Sequence, residues 1–307
     1  MRVFVAGASG VIGRQLVPML VADGHEVIGM ARSGIKVDAL RAMGAEAVVA
    51  DALVFEEVKA AVARAEPEIV VHQLTAIPAR VDPRRFAEEF DATNRLRRAG
   101  TRNLVAAAVA AGARRVVAQS IAQAYKPVGG WIKTEEDPLY DRAPPIFRDI
   151  FDAIIALEAS VLGAEAIEGL VLRYGNFYGP GTRFAADGAD AELVRHQRFP
   201  VAGGGHGHWS FIHVHDAATA TVRAIQHGHP GIYNIVDDEP APVAEWLPVY
   251  AQALGAERPP EVGPPRSDYG IHGMLRSRGA SNAKAKQQLA WHPRYPSWRQ
   301  GFSAALA

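Results

Sequence analysis

The sequence predicts an α/β fold in which a parallel sheet is covered by helices on both faces. Three observations predict it. Residues 3–13 read Val-Phe-Val-Ala-Gly-Ala-Ser-Gly-Val-Ile-Gly, a short apolar strand that runs into a helix through glycines spaced by three. Residues 69–76 open as a continuous apolar run, the pattern of a strand buried on both faces. The 307-residue chain is 49% hydrophobic and 21% charged, which suffices for one large core or two units sharing an interface.

Each glycine of the first turn has a separate task. Gly7 permits the tight turn after the strand, Gly10 lets the backbone approach a pyrophosphate, and Gly13 lets the helix pack closely on the strand. Unpaired N–H groups at the start of that helix then face an anion. The 33 basic and 33 acidic residues leave no formal net charge, so no electrostatic signal points to nucleic acid or an acidic membrane, and a small molecule is the expected partner. Without cysteine there is no disulfide, thiolate nucleophile or cysteine-held metal. The N-terminus reads as a strand rather than a signal peptide, and the apolar run at 104–111 is too short to span a bilayer, so a cytoplasmic protein is expected.

The glycine spacing and the text that follows resemble the extended short-chain dehydrogenase/reductase superfamily, which includes the NAD(P)-dependent epimerase/dehydratase family, over nearly the whole chain. The resemblance implies a doubly wound Rossmann domain at 1–173, to which 209–236 return, and a smaller, interleaved substrate domain mainly within 174–307. It also places a dinucleotide on Gly7, Ser9, Gly10, Val11, Ile12 and Gly13. The second strand, 25–31, carries the ribose end. Its last residue, Ala31, has no acceptor for a 2′-hydroxyl, and Arg32 either meets a 2′-phosphate or lies in solvent. NADP is the expected cofactor, ahead of NAD.

A helix is expected over 37–43, a strand over 47–50 and a helix over 53–65, with Asp51 and Ala52 where the family contacts adenine and Asp51 also able to cap that helix. Leu74, Thr75 and Ala76 resemble the segment behind the cofactor ribose. His72 has no second ligand at metal spacing and is expected to bond within the core; no metal site is expected. A loop at 77–83 marks the active-site rim, residues 86–112 read as one or two helices, and Asn94 matches a structural asparagine of the family.

Ser120 ends a strand beginning at Arg115 and stands where the superfamily places its active-site hydroxyl. There the serine works with a tyrosine whose pKa is lowered by a lysine four residues later. That pair is absent here, and Ile150 and Ile154 hold its two positions. Tyr125 is the nearest replacement acid, with Lys126 beside it, although packing explains Tyr125 equally well. Lys133, Tyr140, Asp149 and Tyr174 are further candidates.

Residues 169–181 resemble the family's Tyr-Gly-Pro-Gly signature, which implies that Tyr174 and Gly175 approach the nicotinamide and that Asn176 faces substrate. Trp209 stands where an arginine often grips a nucleotide-sugar diphosphate; it belongs to the substrate site but removes the anion clamp. Helices are expected at 217–226 and 241–254, a strand at 233–236 and a mobile-looking segment at 266–278, where the resemblance implies substrate-contacting loops and Arg276 and Arg278 touch an acidic or polar group or lie in solvent. Apolar residues on more than one side of 146–162 predict a homodimer through this helix and the one before it. Three functions fit these residues: an NADP-dependent oxidoreductase acting on a carbonyl or alcohol of a small organic or sugar-like molecule, a redox-neutral epimerase, dehydratase or isomerase, and a non-catalytic dinucleotide-binding protein.

Overall fold

The structure is a computed structural model that describes residues 1–82 and 84–306; Pro83, the last residue of the expected rim loop, and Ala307 lie outside the described residues. Seven strands form the central sheet: β1 (Arg2–Ala6), β2 (Glu26–Ala31), β3 (Glu46–Val49), β4 (Ile69–His72), β5 (Arg115–Ile121), β6 (Glu168–Tyr174) and β7 (Gly231–Ile235). Their order is β7-β6-β5-β4-β1-β2-β3 and every neighbouring pair is parallel. The chain leaves β1 towards one edge and, after β3, returns to the other side of β1 with β4. The direction of winding therefore reverses between β1 and β4, and the crevice outside their carboxyl ends is where such sheets take ligands.

Two apolar layers hold the helices to the sheet. On one face Val3 and Val5 of β1 meet Leu16 and Leu20 of α1 (Gly13–Ala22), along with Ala217 and Ala224 of the later helix at Val214–Gln226. On the other, Phe4 and Val70 meet helices that follow α2 (Gly34–Ala42): Val58 and Val62 of α3 (Phe55–Ala65), Leu104 and Ala108 of α5 (Thr101–Ala110), and Leu157 and Val161 of α6 (Pro145–Leu162). Before α5, α4 (Phe86–Arg95) runs into it through a π-helical turn at Leu96–Gly100. Alternate residues of each strand point to opposite faces, so β-branched and aromatic residues are needed on both.

A third apolar cluster lies beyond the sheet. It joins Tyr178, Phe184, Phe211, Trp246, Tyr250, Trp298 and Phe302, from α9 (Val243–Ala253), α12 (Trp298–Leu306) and the segments before them. Between α6 and α9 come α7 (Ala189–Arg195) and the helix at Val214–Gln226, α8. Short parallel strands at Asn176–Tyr178 and Phe211–His213 pair with each other and lead out of, and back towards, the main sheet.

Two local expectations are corrected. The mobile-looking segment at 266–278 is helical over most of its length: α10 (Asp268–Ile271) continues into a π-helical turn at His272–Arg276, and Ser267 Oγ accepts the Gly270 N–H and caps the start. Asp51 does not cap α3, whose first residue is Phe55; its carboxylate accepts the Leu53 N–H at 2.9 Å in the turn ahead of the helix.

Candidate functional site

The cofactor crevice is built from the ends of β1, β4 and β2. Gly7 has φ +89°, and a Cβ there would stand 2.4 Å from the Gln73 carbonyl oxygen, so only glycine lets β1 turn this close to β4. At Gly13 a Cβ would stand 2.3 Å from Ala8 O, which explains the close seating of α1. Gly10 and Val11 are exposed, and Ser9 O accepts the Arg14 Nε–H at 3.0 Å, which fixes the loop's last turn. At the start of α1 the Ile12 and Gly13 N–H groups have no hydrogen-bond partner among the described residues, whereas Arg14 N–H bonds Gly10 O at 3.0 Å and Leu16 N–H bonds Ile12 O at 2.9 Å.

Gln73 adds an observation that no motif announces. It is buried, its Nε2 donates to Tyr174 Oη at 3.3 Å, and its Oε1 has no protein partner among the described residues. A cradle that only glycine permits, free helix amides and an unpaired buried carbonyl beside them fit a dinucleotide. At the ribose end Ala31 is buried at the tip of β2 while Arg32 is exposed. Ala52 is buried, with its carbonyl held by Asn103 Nδ2 at 2.9 Å. Along the far wall Leu74 N–H donates to His72 Nδ1 at 3.1 Å, Thr75 is exposed, and Ala76 N–H donates to Thr93 Oγ1 at 3.0 Å. His72 bonds within the core as expected: its Nε2 lies 2.9 Å from Thr101 Oγ1, and burial lowers its pKa to about 4. Neutral His72 accepts at Nδ1 and therefore donates from Nε2.

Tyr174 touches this crevice only through the Gln73 amide, which donates to its hydroxyl at 3.3 Å. It is buried on the α8 face, its hydroxyl lies 2.6 Å from Thr221 Oγ1, and burial pushes its pKa up to about 12. Only its backbone, with Gly175, remains at the carboxyl end of β6.

Ser120 and Tyr125 come together, but in a buried polar network. Ser120 Oγ donates to Glu158 Oε1 at 2.6 Å; Arg173 clamps the same carboxylate through Nε at 2.8 Å and Nη2 at 2.6 Å. Arg173 Nη1 donates to Tyr125 Oη at 2.9 Å, and that hydroxyl donates to Asn234 Oδ1 at 2.7 Å. Tyr125 is only 1% exposed, and burial, the leading cause, raises its pKa. Lys126 turns away to Asp141, 2.9 Å distant, so it does not stabilise a Tyr125 phenolate. The remaining candidates Lys133 and Asp149 are also occupied, Lys133 by Asp137 at 3.0 Å and Asp149 by Asn94 and Arg98, both at 2.6 Å.

Where the superfamily's acid and its lysine would stand, α6 presents Ile150 and Ile154 to an apolar cluster. Phe147, Phe151, Tyr140, Ala124 and Phe86 complete it, with Ile121 packed against it. His272 and Tyr269, from the 268–276 segment, lie on the same rings: His272 is 4.9 Å from Phe147 by centroids and Tyr269 is 5.1 Å from Phe86. Tyr140 Oη and His272 Nδ1 are 3.2 Å apart. Burial lowers the His272 pKa to about 4 and raises that of Tyr140.

Trp209 is half-buried among Phe184, Phe199, Phe211 and Trp246, and its Nε1 donates to Gly273 O at 2.8 Å. The indole therefore fixes the 272–276 turn. Asn176 is tied to Ser210, its Nδ2 donating to the carbonyl at 3.1 Å. In the loop before Trp209, the His208 ring stacks on Trp131 at 4.7 Å.

Against this geometry, the sequence profile of the NAD dependent epimerase/dehydratase family matches residues 3–236. The chain belongs to this family. A Streptomyces protein named 3-diazoavenalumate denitrifying reductase is 48% identical over 98% of this chain and 99% of its own length. A UDP-glucose 4-epimerase of Mycolicibacterium smegmatis is 27% identical over 95% and 94% of the two chains. Among solved structures, UDP-glucose 4-epimerase from Thermotoga maritima superposes with a TM-score of 0.79 at 22% identity, covering 99% of this chain and 97% of that one. The Rossmann-type fold and an NAD(P)-dependent enzyme of the oxidoreductase or epimerase kind follow from these relations.

Proposed function

We propose that the protein is an NADP(H)-dependent reductase whose hydride acceptor is an arenediazonium group rather than a carbonyl. One observation carries this reading. The proton-donating pair of the superfamily is replaced by Ile150 and Ile154 in an apolar cluster, while the hydroxyls of Ser120 and Tyr125 are held by Glu158, Arg173 and Asn234. When bound, the reduced cofactor supplies a hydride. A carbonyl that takes a hydride must also take a proton. An arenediazonium need not: hydride addition gives a neutral aryldiazene, and loss of dinitrogen leaves the arene, so atoms and charge balance with no proton from the chain. The name of the 48% identical relative supports the same acceptor.

In this reading the chain's residues bind and orient. The glycine turn and Gln73 hold the dinucleotide, Leu74 to Ala76 back its ribose, and the exposed Arg32 donates to a 2′-phosphate. Ser120 and Tyr125 belong to the scaffold. The substrate is a small molecule held between the sheet and the segments from Asn176 onward, and the enzyme works in the cytoplasm as a homodimer. The exposed Val109 of α5 with Ile155 and Leu162 of α6 support that pairing surface. The apolar residues first expected to need it, Phe147, Ile150, Phe151 and Ile154, are instead covered within the protomer. A dimeric mass by light scattering at micromolar protein is expected.

The test mixes enzyme, NADPH and an arenediazonium salt and follows NADPH loss with headspace dinitrogen. Enzyme-dependent, equimolar loss and release are expected, with turnover that changes less than twofold in D2O. NADPH oxidation with carbonyls alone would overturn the reading. A second reading, carbonyl reduction with Tyr140 as acid, is favoured by the Tyr140–His272 contact at 3.2 Å; it requires that Tyr140→Phe lose about a hundredfold or more in turnover.

A further inference from the structure

We propose that Arg97 is a cofactor-binding residue whose guanidinium donates to the vicinal hydroxyls of the dinucleotide ribose that lies against Leu74 to Ala76. This rests on the NADP reading only in assigning that ribose to the nicotinamide end.

Arg97 stands in the π-helical turn at Leu96–Gly100 and is only 3% exposed. Among the described residues no carboxylate pairs with it. Its one hydrogen-bond partner among them is the neutral Asn94 Oδ1, which accepts from Nη1 at 3.3 Å, whereas a charge-assisted bond to a good acceptor measures about 2.7–2.9 Å. Nε and Nη2 have no partner among the described residues, and neither is sealed from solvent. Burial lowers the Arg97 pKa only to about 10, so the group is charged at physiological pH. The other buried arginines are matched: Arg173 clamps Glu158, and Arg115 has Glu168 with the Ala224, His227 and Gly228 carbonyls. A buried cation left without an opposite charge or a set of good acceptors is costly, and a ligand that supplies acceptors offsets that cost.

Its neighbours on the helix fix the direction in which Arg97 points. Thr93, four residues earlier, faces the far wall of the cofactor crevice, its Oγ1 accepting the Ala76 N–H at 3.0 Å. Thr101, four residues later, meets the same segment, its Oγ1 lying 2.9 Å from His72 Nε2. Asn94 faces α6 instead, its Nδ2 donating to Asp149 Oδ2 at 2.6 Å. Residues three and four apart on a helix are neighbours on its surface, so Arg97 lies between the 72–76 wall and α6. On α6, Ile154 stands where the superfamily has its lysine and packs into an apolar cluster. The ligand is the dinucleotide in the crevice already described, and no second pocket is needed. By the family resemblance its ribose is the group set against this wall. A guanidinium offers several N–H donors in a fixed fork, and a vicinal diol offers two oxygen acceptors side by side. The adenine-side ribose of NADP carries a phosphate at its 2′ position, so only the nicotinamide-side ribose keeps both hydroxyls.

Calorimetric titration with NADP and with 2′-phospho-ADP, which ends at the pyrophosphate and lacks the second ribose, locates the contact. Arg97→Met should weaken NADP about ten- to hundredfold, the loss of a hydrogen bond to a charged group, and change 2′-phospho-ADP by less than about twofold. Arg97→Lys keeps the charge and should lose less than Arg97→Met. Thermal melts of the ligand-free proteins should place Arg97→Met at or above the wild type, because an apolar side chain replaces an unpaired buried charge. Unchanged NADP affinity in Arg97→Met, equal weakening of both ligands, or a melt lowered by more than about 4 °C, which would make Arg97 a residue of the fold, overturns the proposal. Tighter binding of NAD than of NADP would remove the NADP reading; NAD weakened by Arg97→Met with ADP unchanged would then uphold the Arg97 contact.

Discussion

Replacing Arg173 by methionine should unfold the protein far more readily than its position away from the cofactor suggests. Glu158 and Arg173 have side chains 7% and 4% exposed, and two of their contacts, 2.8 and 2.6 Å long, form a bidentate pair. Burying two ions costs several kcal/mol each, offset here by the pair itself and by the hydroxyls of Ser120 and Tyr125 at its ends. In Arg173→Met the Glu158 carboxylate keeps only the 2.6 Å bond from Ser120 and remains in a dry site. The expected loss is about 3–5 kcal/mol, the usual result of stranding one partner of a buried pair. With a urea slope of about 3 kcal/mol/M that is a midpoint lowered by about 1–1.7 M. Glu158→Met/Arg173→Met removes both charges, so its loss should fall at least about 2 kcal/mol short of the summed single losses. Circular dichroism in urea reads all four proteins. A loss under about 1 kcal/mol in Arg173→Met, or strict additivity in the double variant, would refute the reasoning.

Three further outcomes are expected. Tyr125→Phe leaves Arg173 Nη1 and Asn234 Oδ1 short of a partner, so it should cost about 1–3 kcal/mol of stability while turnover per folded molecule stays within about twofold; a hundredfold fall would make Tyr125 catalytic. Gly7→Ala places a Cβ 2.4 Å from Gln73 O at φ +89°, whereas Gly24→Ala, at φ +76°, meets nothing within 4 Å; thermal melts should show a loss of about 1–2 kcal/mol at Gly24, and a larger one with at least tenfold weaker NADPH binding at Gly7. His72 has its pKa lowered from 6.5 to about 4, so between those values the unfolded chain binds the extra proton and stability must rise with pH; unfolding midpoints at pH 7.5 and 5 should differ by about 2 kcal/mol on this account, a difference that shrinks in His72→Gln.

The sheet and the cofactor turn were legible because their physics is local. A glycine that must turn at positive φ beside a neighbouring strand, and strands apolar on both faces, announce themselves within a dozen residues, and the strand limits fell within a residue or two of the pattern except at β4, which ends at His72 rather than running on to Ala76. The structural roles of Asn94 and His72 came instead from the family resemblance and from the lack of a second ligand near His72, and their partners Asp149 and Thr101 are far away in sequence. The catalytic side was not legible. Ser120 matches a motif position, yet the direction of its hydroxyl depends on Glu158 and Arg173, from α6 and β6, which no spacing links to it. Tyr125 and Lys126 are adjacent in sequence but bond to Asn234 and Asp141 respectively, because the chain turns between them into the Tyr125–Leu139 bridge. Tyr140 and His272 meet across 132 positions, and Gln73 has no motif to mark it.

The substitutions that set this chain apart are mutually consistent. Isoleucines at the two dyad positions remove a proton donor and its lysine, and they would weaken the fold if left facing water. They face instead the rings of Phe147, Phe151 and Tyr140, and His272 and Tyr269 close over those rings from the 268–276 segment. That segment is held by Trp209, which stands where the family resemblance leads one to expect a diphosphate-gripping arginine. The two isoleucines, the rings packed over them and the segment held by Trp209 are thus one connected packed unit. The Glu158–Arg173 pair and the glycine turn lie outside it and retain the form expected of a dinucleotide enzyme. A decayed active site would show polar residues lost without replacement. Here packed apolar side chains fill both positions, which is consistent with the proposed transfer of a hydride to an acceptor that needs no proton.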